Sequence, residues 1–381
     1  MSEITLTPDA WKCFYPPDRG CDSRSSTINP SLGAETPGAL QREVSMNKLQ
    51  IYDSVLKSLW RWAEANDVRF VPTPRIVTAT GACENVDTLW AVQSGSVPGE
   101  FFFAQTGQLY LEMALAQTAR AFTMGSSGRA EAEIDHRHLR EFTLFEVEGR
   151  GGFADLVSMI KSLFGAIDDV SQEWGASPIA TRLQLLSYAE ALEFLGLGAQ
   201  HWGEDFSHAQ EMALCQDGPV LLTHHPDPQP LTGPRPTLEK FFNMKPSPSR
   251  NGDRPTVQSC DLLLPIAGES LGGAVRIHQS EVLKHRLQRS GMYATLQKRG
   301  LGLAQFADYL EHMEQHGPVI GEHYGFGVGI DRVVQYLMSE TDIRRCAGFL
   351  VGADVPAVTS DESNAEPQVV SEQVGAALVE V

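Results

Sequence analysis

Leu49, Tyr52, Leu56, Leu59 and Ala63 recur at helical spacing and stop at Asn66-Asp67, which predicts a helix over residues 46–66. The run "VRFVPTPRIV" behind it reads as a strand interrupted by prolines. Strand-like runs follow at "EFFFAQT", "RAFTMG" and "EFTLFEVEG". Helical patterns occupy "LYLEMALAQTA", "FADLVSMIKSLFGAIDDV" and "SYAEALEFLG". A loop dense in proline (226, 228, 230, 234 and 236) separates these from "FFNMKP" and "SCDLLLPIAGESLGGAVRIH". Strands clustered with helices, without strict alternation, predict an α+β fold: a largely antiparallel sheet flanked by helices.

Two ends depart from this patterning. Residues 1–44 are rich in Pro, Ser, Gly and Asp and predict a poorly ordered arm; residues 355–381 predict an acidic, mobile tail. Residues 45–354 between them read as one domain. No apolar run approaches the ~20 residues that span a bilayer, and the N-terminus lacks a charged-then-apolar signal pattern. The six cysteines (13, 21, 83, 215, 260 and 346) show no metal-ligand spacing. A reduced, cytoplasmic protein is therefore expected, with no membrane partner. A net charge of −18 repels phosphate backbones and disfavours extensive nucleic-acid contact.

Candidate chemistry gathers in three stretches. In "GRAEAEIDHRHLREFTLFEVE", Arg129, Glu131, Arg137, His138 and Phe142 suit a folded triphosphate and its base. The arginines neutralise phosphates, the ring stacks, and the glutamate accepts from an exocyclic amine. A charged hairpin exposed to water is the plainer alternative. In "DLLLPIAGESLGGAVR", Asp261 and Glu269 flank a turn and could share a divalent cation, while Arg276 could pair with a substrate carboxylate. An acidic turn with an exposed arginine is the plainer reading there. In "GFGVGIDR", the missing third glycine (Ile330 stands there) excludes a dinucleotide loop. Asp331-Arg332 at a strand-to-helix junction could instead meet a phosphate or a flat ring, and a glycine-rich strand packed under another backbone stays possible. His224-His225 has no spaced partners and reads as surface loop.

In this order the stretches resemble class II aminoacyl-tRNA synthetases of the aspartyl/asparaginyl branch, over roughly residues 45–350. "VRFVPTP" with its helix is similar to the first class II motif, "GRAE…RHLREF" to the second and "HYGFGVGIDR" to the third. "TGACENVDTLW" resembles the branch's mobile loop, and "FFFAQTGQLYLE" its amino-acid-binding strand and helix.

The resemblance implies ATP and Mg²⁺ as cofactors and an acyl-adenylate as intermediate. It implies Arg129 on the α-phosphate, Glu131 on the adenine amine, Arg137 and His138 toward the γ-phosphate, Phe142 under the base and Arg332 at adenine or the terminal phosphates. Leu139, Gly329, Ile330 and Asp331 fall in the same ATP-binding motifs, and Asp261 and Glu269 would hold the metal. Arg129, Arg332 and Glu269 would carry catalysis. Glu84, Gln108, Glu146, Gly272, Arg276 and His323 fall in the amino-acid-binding segments. The first-motif helix and Pro74 imply a homodimer.

Leu111 stands where aspartyl enzymes carry a lysine, and Glu146 where an aspartate is usual, which leans toward the asparaginyl side without excluding aspartate. Gly128 replaces an aromatic, the proline-rich end of the third motif is absent, and no β-rich anticodon-binding domain precedes the core in this sequence. The expected function is therefore an AMP-forming ligase that activates aspartate or asparagine and passes it to ammonia or another amine without tRNA. A tRNA synthetase of unusual form is the runner-up. A non-catalytic paralogue is a third reading, opposed by the surviving arginines and metal pair.

Overall fold

The structure is a computed structural model describing residues 37–350, apart from 84, 94, 133–134, 230–235, 237, 239, 249–253 and 349, with side chains described from Lys48. The expected arm falls largely outside these residues and the expected tail entirely so. Residues 37–44, assigned to the arm, are helical in backbone. Helix α1 runs Pro37–Ala65, and a proline at the first helical position is preorganised for that conformation.

Short strands β1 (Arg69–Phe70) and β2 (Ile76–Val77) follow, separated by the segment containing Pro72 and Pro74. Then come β3 (Ala91–Val92), β4 (Phe101–Phe103), α2 (Gln108–Ala114), β5 (Arg120–Gly128), β6 (Glu141–Arg150) and α3 (Phe153–Glu173). After β7 (Gln184–Ser187), α4 (Tyr188–Phe194), α5 (His208–Leu214), β8 (Val220–Thr223), β9 (Ser259–Leu264) and β10 (Gly268–Arg276), three helices form a cap. These are α6 (Ser280–Arg289), α7 (Gly291–Lys298) and α8 (Ala307–Ile320). Strand β11 (His323–Gly329) leads directly into α9 (Ile330–Met338).

Eight strands form one sheet in the order β1-β5-β6-β11-β10-β9-β8-β7; β2, β4 and β3 form a small second sheet. Only the edge pairs β1–β5 and β7–β8 are parallel, so the antiparallel expectation is met. Helix α3 buries Leu156, Ile160, Leu163, Phe164 and Ile167, a stripe at helical spacing, against one face of the sheet. Val55, Leu59 and Ala63 of α1 join that core. A second core packs α2 and the α6–α8 cap together. Among the described residues no helix is long and apolar enough to cross a membrane.

Candidate active site

Strand register builds the site. On β6, Glu146 lies opposite Gly327 and Glu148 opposite Gly325; on β10, Gly272 lies opposite both Gly327 and Asp261. Because strand side chains alternate with period two, all of these face one side of the sheet. Glycine is required at one of them: a Cβ on Gly325 would fall 1.7 Å from Glu148 Oε1, so the glycine-rich strand makes room for that carboxyl.

The strands floor a cavity of about 580 Å³, within the range of small-ligand sites. Its upper part is rimmed by the β5–β6 connection. Arg129 and Glu131 lie just past the end of β5, and Arg129 N–H donates to Arg140 C=O at 2.9 Å. The Arg129 guanidinium sits 5.8 Å from the centroid of the Phe142 ring. It also reaches Cys83 Sγ at 3.5 Å. Arg137 Nη2 lies 3.4 Å from Glu211 Oε2 on α5, and Arg332 Nη2 donates to Arg137 C=O at 2.7 Å while Nη1 donates to Ala267 C=O. Three guanidiniums thus converge on one mouth. Burial, then the neighbouring Arg137, lowers the Arg332 pKa, as expected where cations are gathered ahead of an anion. Burial also pushes the Glu211 carboxyl up to about 7, against the pull of Arg137.

The inner end is a buried ionic network. Arg276 Nη2 lies 3.1 Å from Glu148 Oε1, both residues being almost wholly buried. Burial drives the Glu148 carboxyl up to about 8 despite Arg276; Glu112 pushes it the same way. Burial would lower the Arg276 pKa, but Glu148 and Glu112 outweigh it and raise it. Behind this pair, Glu112 accepts from Gln108 Nε2 (3.0 Å), Asn243 Nδ2 (2.6 Å), Tyr309 Oη (2.8 Å) and His323 Nε2 (3.2 Å). The Glu112–His323 contact is read as an ion pair: burial opposes charge on both, and each partner reverses that effect on the other. Ligand atoms of Glu112, Glu148 and His323 lie within 4.8 Å of one another, a spacing compatible with a metal. Arg276 on Glu148 and His323 on Glu112 already supply the cations, so a metal there has no charge to balance.

Asp261 and Glu269 suit a hard cation better. A Cβ on Gly272 would lie 3.5 Å from Glu269 Oε1 and 3.6 Å from Asp261 Oδ1, so both carboxylates front the same part of the cavity. These two residues would hold Mg²⁺, which when bound screens charge on phosphate oxygens.

Most of the expected site residues line this one cavity, with these exceptions and changes of role. Ile330 is wholly buried in the main core, and His323 stands behind the wall on Glu112, so neither reaches a ligand directly. Asp331 reaches the cavity wall, but its carboxylate is taken by Tyr52 Oη (3.3 Å) and Thr143 N–H (2.9 Å), tying α1 and β6 to α9. His138 is half-exposed and bonds Asp135 at 2.9 Å, while Leu139 packs with Ile343 and Ala347. Gln108 lines the cavity and is oriented by Glu112; Glu146 accepts from Thr106 Oγ1 and from Gly107 N–H (2.8 Å). Glu84 lies outside the described residues. His225, expected on a surface loop, is 2% exposed because it is turned inward onto Asp261. Glu112, Glu148, Glu211 and Lys240 were not anticipated. Glu148 carried a signal, sharing a strand face with Glu146 two residues away, and Glu112 follows Gln108 by one helical turn.

Comparison with known proteins agrees with this geometry. Asparaginyl-tRNA synthetase from Entamoeba histolytica is similar at 24% identity and TM-score 0.65, over 81% of this chain and 68% of that one. The asparaginyl-tRNA synthetase from Pyrococcus horikoshii complexed with asparaginyl-adenylate is similar at 23% identity and TM-score 0.63, over 82% and 72%. An aspartyl-tRNA synthetase from Entamoeba histolytica follows at 19% identity and TM-score 0.60, over 85% and 64%. At these identities the likeness establishes the fold. The family model of class II tRNA synthetases (D, K and N) matches residues 38–350, and with that span covered the chain belongs to this family.

Proposed function

We propose that the protein is an ATP-dependent, AMP-forming ligase that activates asparagine, with aspartate as the second candidate, and delivers the acyl group to ammonia or another amine without tRNA. The observation that carries the amino-acid choice is the Arg276–Glu148 pair at the inner end of the cavity. One arginine there faces two buried carboxyls, Glu148 and Glu146. A substrate amide can accept from the guanidinium and donate to a carboxyl oxygen of Glu146 or Glu148, whereas an aspartate side chain brings a negative charge of its own into a low-dielectric site. The arginines at the mouth then suit the phosphates of ATP.

In the first step a substrate carboxylate oxygen attacks the α-phosphorus, and the bond to the bridging oxygen breaks to release pyrophosphate. The substrate is held by the cavity floor, and Arg129 stabilises charge on the α-phosphoryl oxygens. This step needs positioning and charge neutralisation more than a protein base. In the second, an amine nitrogen attacks the acyl carbon, loses a proton, and AMP leaves. The four described cysteines are free thiols, which accords with the cytoplasm.

Net charge −18 favours an amine over tRNA as acceptor, because tRNA affinity rests on Lys and Arg neutralising phosphates. Membership of a tRNA-ligase family favours the opposite reading, a tRNA synthetase of unusual form. The deciding experiment supplies enzyme, ATP, Mg²⁺ and each amino acid with either ammonium or total tRNA. Pyrophosphate exchange at full rate without tRNA, and an amide product by mass spectrometry, are expected. Stable aminoacyl-tRNA with no free amide selects the synthetase.

A homodimer is part of the proposal. Trp60 (37% exposed) and Phe70 (45%) form an aromatic surface patch backed by buried Phe122, with ring centroids 5.3 to 5.4 Å apart, on the element that resembles the first-motif interface. Light scattering at micromolar concentration is expected to give twice the 41.7 kDa chain mass, and Trp60→Glu to give the monomer. A wild-type monomer at that concentration removes the dimer.

A further inference from the structure

Asp261, one of the two carboxylates suited to a divalent cation, offers only one of its oxygens to the cavity. Lys240 Nζ lies 2.5 Å from Oδ2, and His225 Nε2 lies 3.0 Å from the same oxygen. The imidazole is oriented from behind by Ser259, whose Oγ is 2.8 Å from Nδ1. All three charged or titratable side chains are nearly buried, at 9% for Lys240 and Asp261 and 2% for His225. Oδ1 is the oxygen that fronts Gly272 together with Glu269. The carboxylate is therefore divided, with one oxygen capped by an ammonium and an imidazole and the other facing the cavity.

This division has an electrostatic consequence. A dication on Oδ1 would share a single carboxylate with an ammonium in a poorly solvated setting, where like charges repel strongly. Lys240 offsets about one of the negative charges that the two carboxylates would otherwise present to a cation. Hard-cation sites gain affinity with ligand charge, so the nucleotide-free pair is a weak site. Phosphate oxygens from ATP restore the missing charge and add ligands.

We propose that Lys240, seated on Asp261 Oδ2, keeps a divalent cation out of the Asp261–Glu269 pair until nucleotide phosphate is present, so that metal enters together with ATP. The nucleotide half rests on the function proposed above; the exclusion by Lys240 does not. Lys240 is in this sense a positioning residue, acting through Asp261.

Mn²⁺ binding to the full chain, followed by the electron paramagnetic resonance signal of the free ion, tests this without turnover. Once the Mn²⁺ taken up by the analogue without protein is subtracted, wild-type protein is expected to bind Mn²⁺ at least about tenfold more weakly alone than with a non-hydrolysable α,β-methylene analogue of ATP. Lys240→Met should tighten nucleotide-free binding by about tenfold or more, and adding Asp261→Asn should abolish that gain. Lys240→Arg, which keeps the charge, should behave as wild type. If Lys240→Met does not fold by thermal melting, Lys240→Gln retains a hydrogen-bond donor to Asp261 and replaces it in the comparison. Equal nucleotide-free Mn²⁺ affinity in wild type and a folded neutral variant overturns the exclusion and makes Lys240 a structural counter-ion. Tighter binding in the neutral variant with no effect of the analogue on wild type leaves the exclusion standing. That outcome overturns its dependence on nucleotide, and the ATP reading with it.

Discussion

Arg129→Ala is expected to slow ATP–pyrophosphate exchange by on the order of 10²–10³-fold, the cost of losing one preorganised electrostatic donor. The expectation rests on placement. Arg129 follows the last residue of β5, its backbone is held by Arg140, and its guanidinium lies over Phe142 at the cavity rim. A group fixed before substrate arrives costs no reorganisation as charge develops on phosphorus. Arg129→Lys keeps a charge but loses the planar fork, so it should recover only part of the rate. Exchange within a fewfold of wild type in Arg129→Ala, with the thermal midpoint unchanged, would remove Arg129 from the phosphate site.

Arg276→Met is expected to destabilise the fold by about 1–3 kcal/mol, since removing the guanidinium leaves the buried Glu148 carboxyl without its hydrogen-bond partner. Glu148 and Glu112 would be left in the interior without their nearest guanidinium. The double variant Arg276→Met/Glu148→Leu should regain much of that loss, because an apolar pair leaves no buried polar group without a partner. Urea unfolding of the wild type, both single variants and the double variant measures the coupling. The same double variant should also lose most amino-acid-dependent exchange, since the guanidinium donor and one of the two facing carboxyls are gone. A loss below about 1 kcal/mol in Arg276→Met would mean that Glu148 is not held by Arg276.

The gathering of Arg129, Arg137, Arg332, Asp261, Glu269 and Arg276 into one site was implied by the resemblance to a known family; the sequence by itself determined the antiparallel sheet, the helical pattern of α3 and the Asp261–Glu269 pair across a turn. These depend on period and local spacing: a buried stripe every three to four residues, or two acidic residues across a hairpin turn, is written along the chain. Family membership was legible for the same reason, since three ordered motifs and their intervening segments stand in the linear text.

Only the tertiary structure decided the rest, because those features arise from residues far apart in the chain meeting across strand register. Glu148 faces Gly325 only when β6 and β11 pair as they do, and that pairing makes the glycine-rich strand a space for a carboxyl. Beyond its helical neighbour Gln108, Glu112 gathers Asn243, Tyr309 and His323 from separate segments, and no periodicity announces those contacts. His225 and Lys240 flank a proline-rich run that reads as surface, yet both turn inward because Asp261 is buried and its charge needs partners. Local pattern places an element in the fold; which charge meets which is set by the packing of elements against one another.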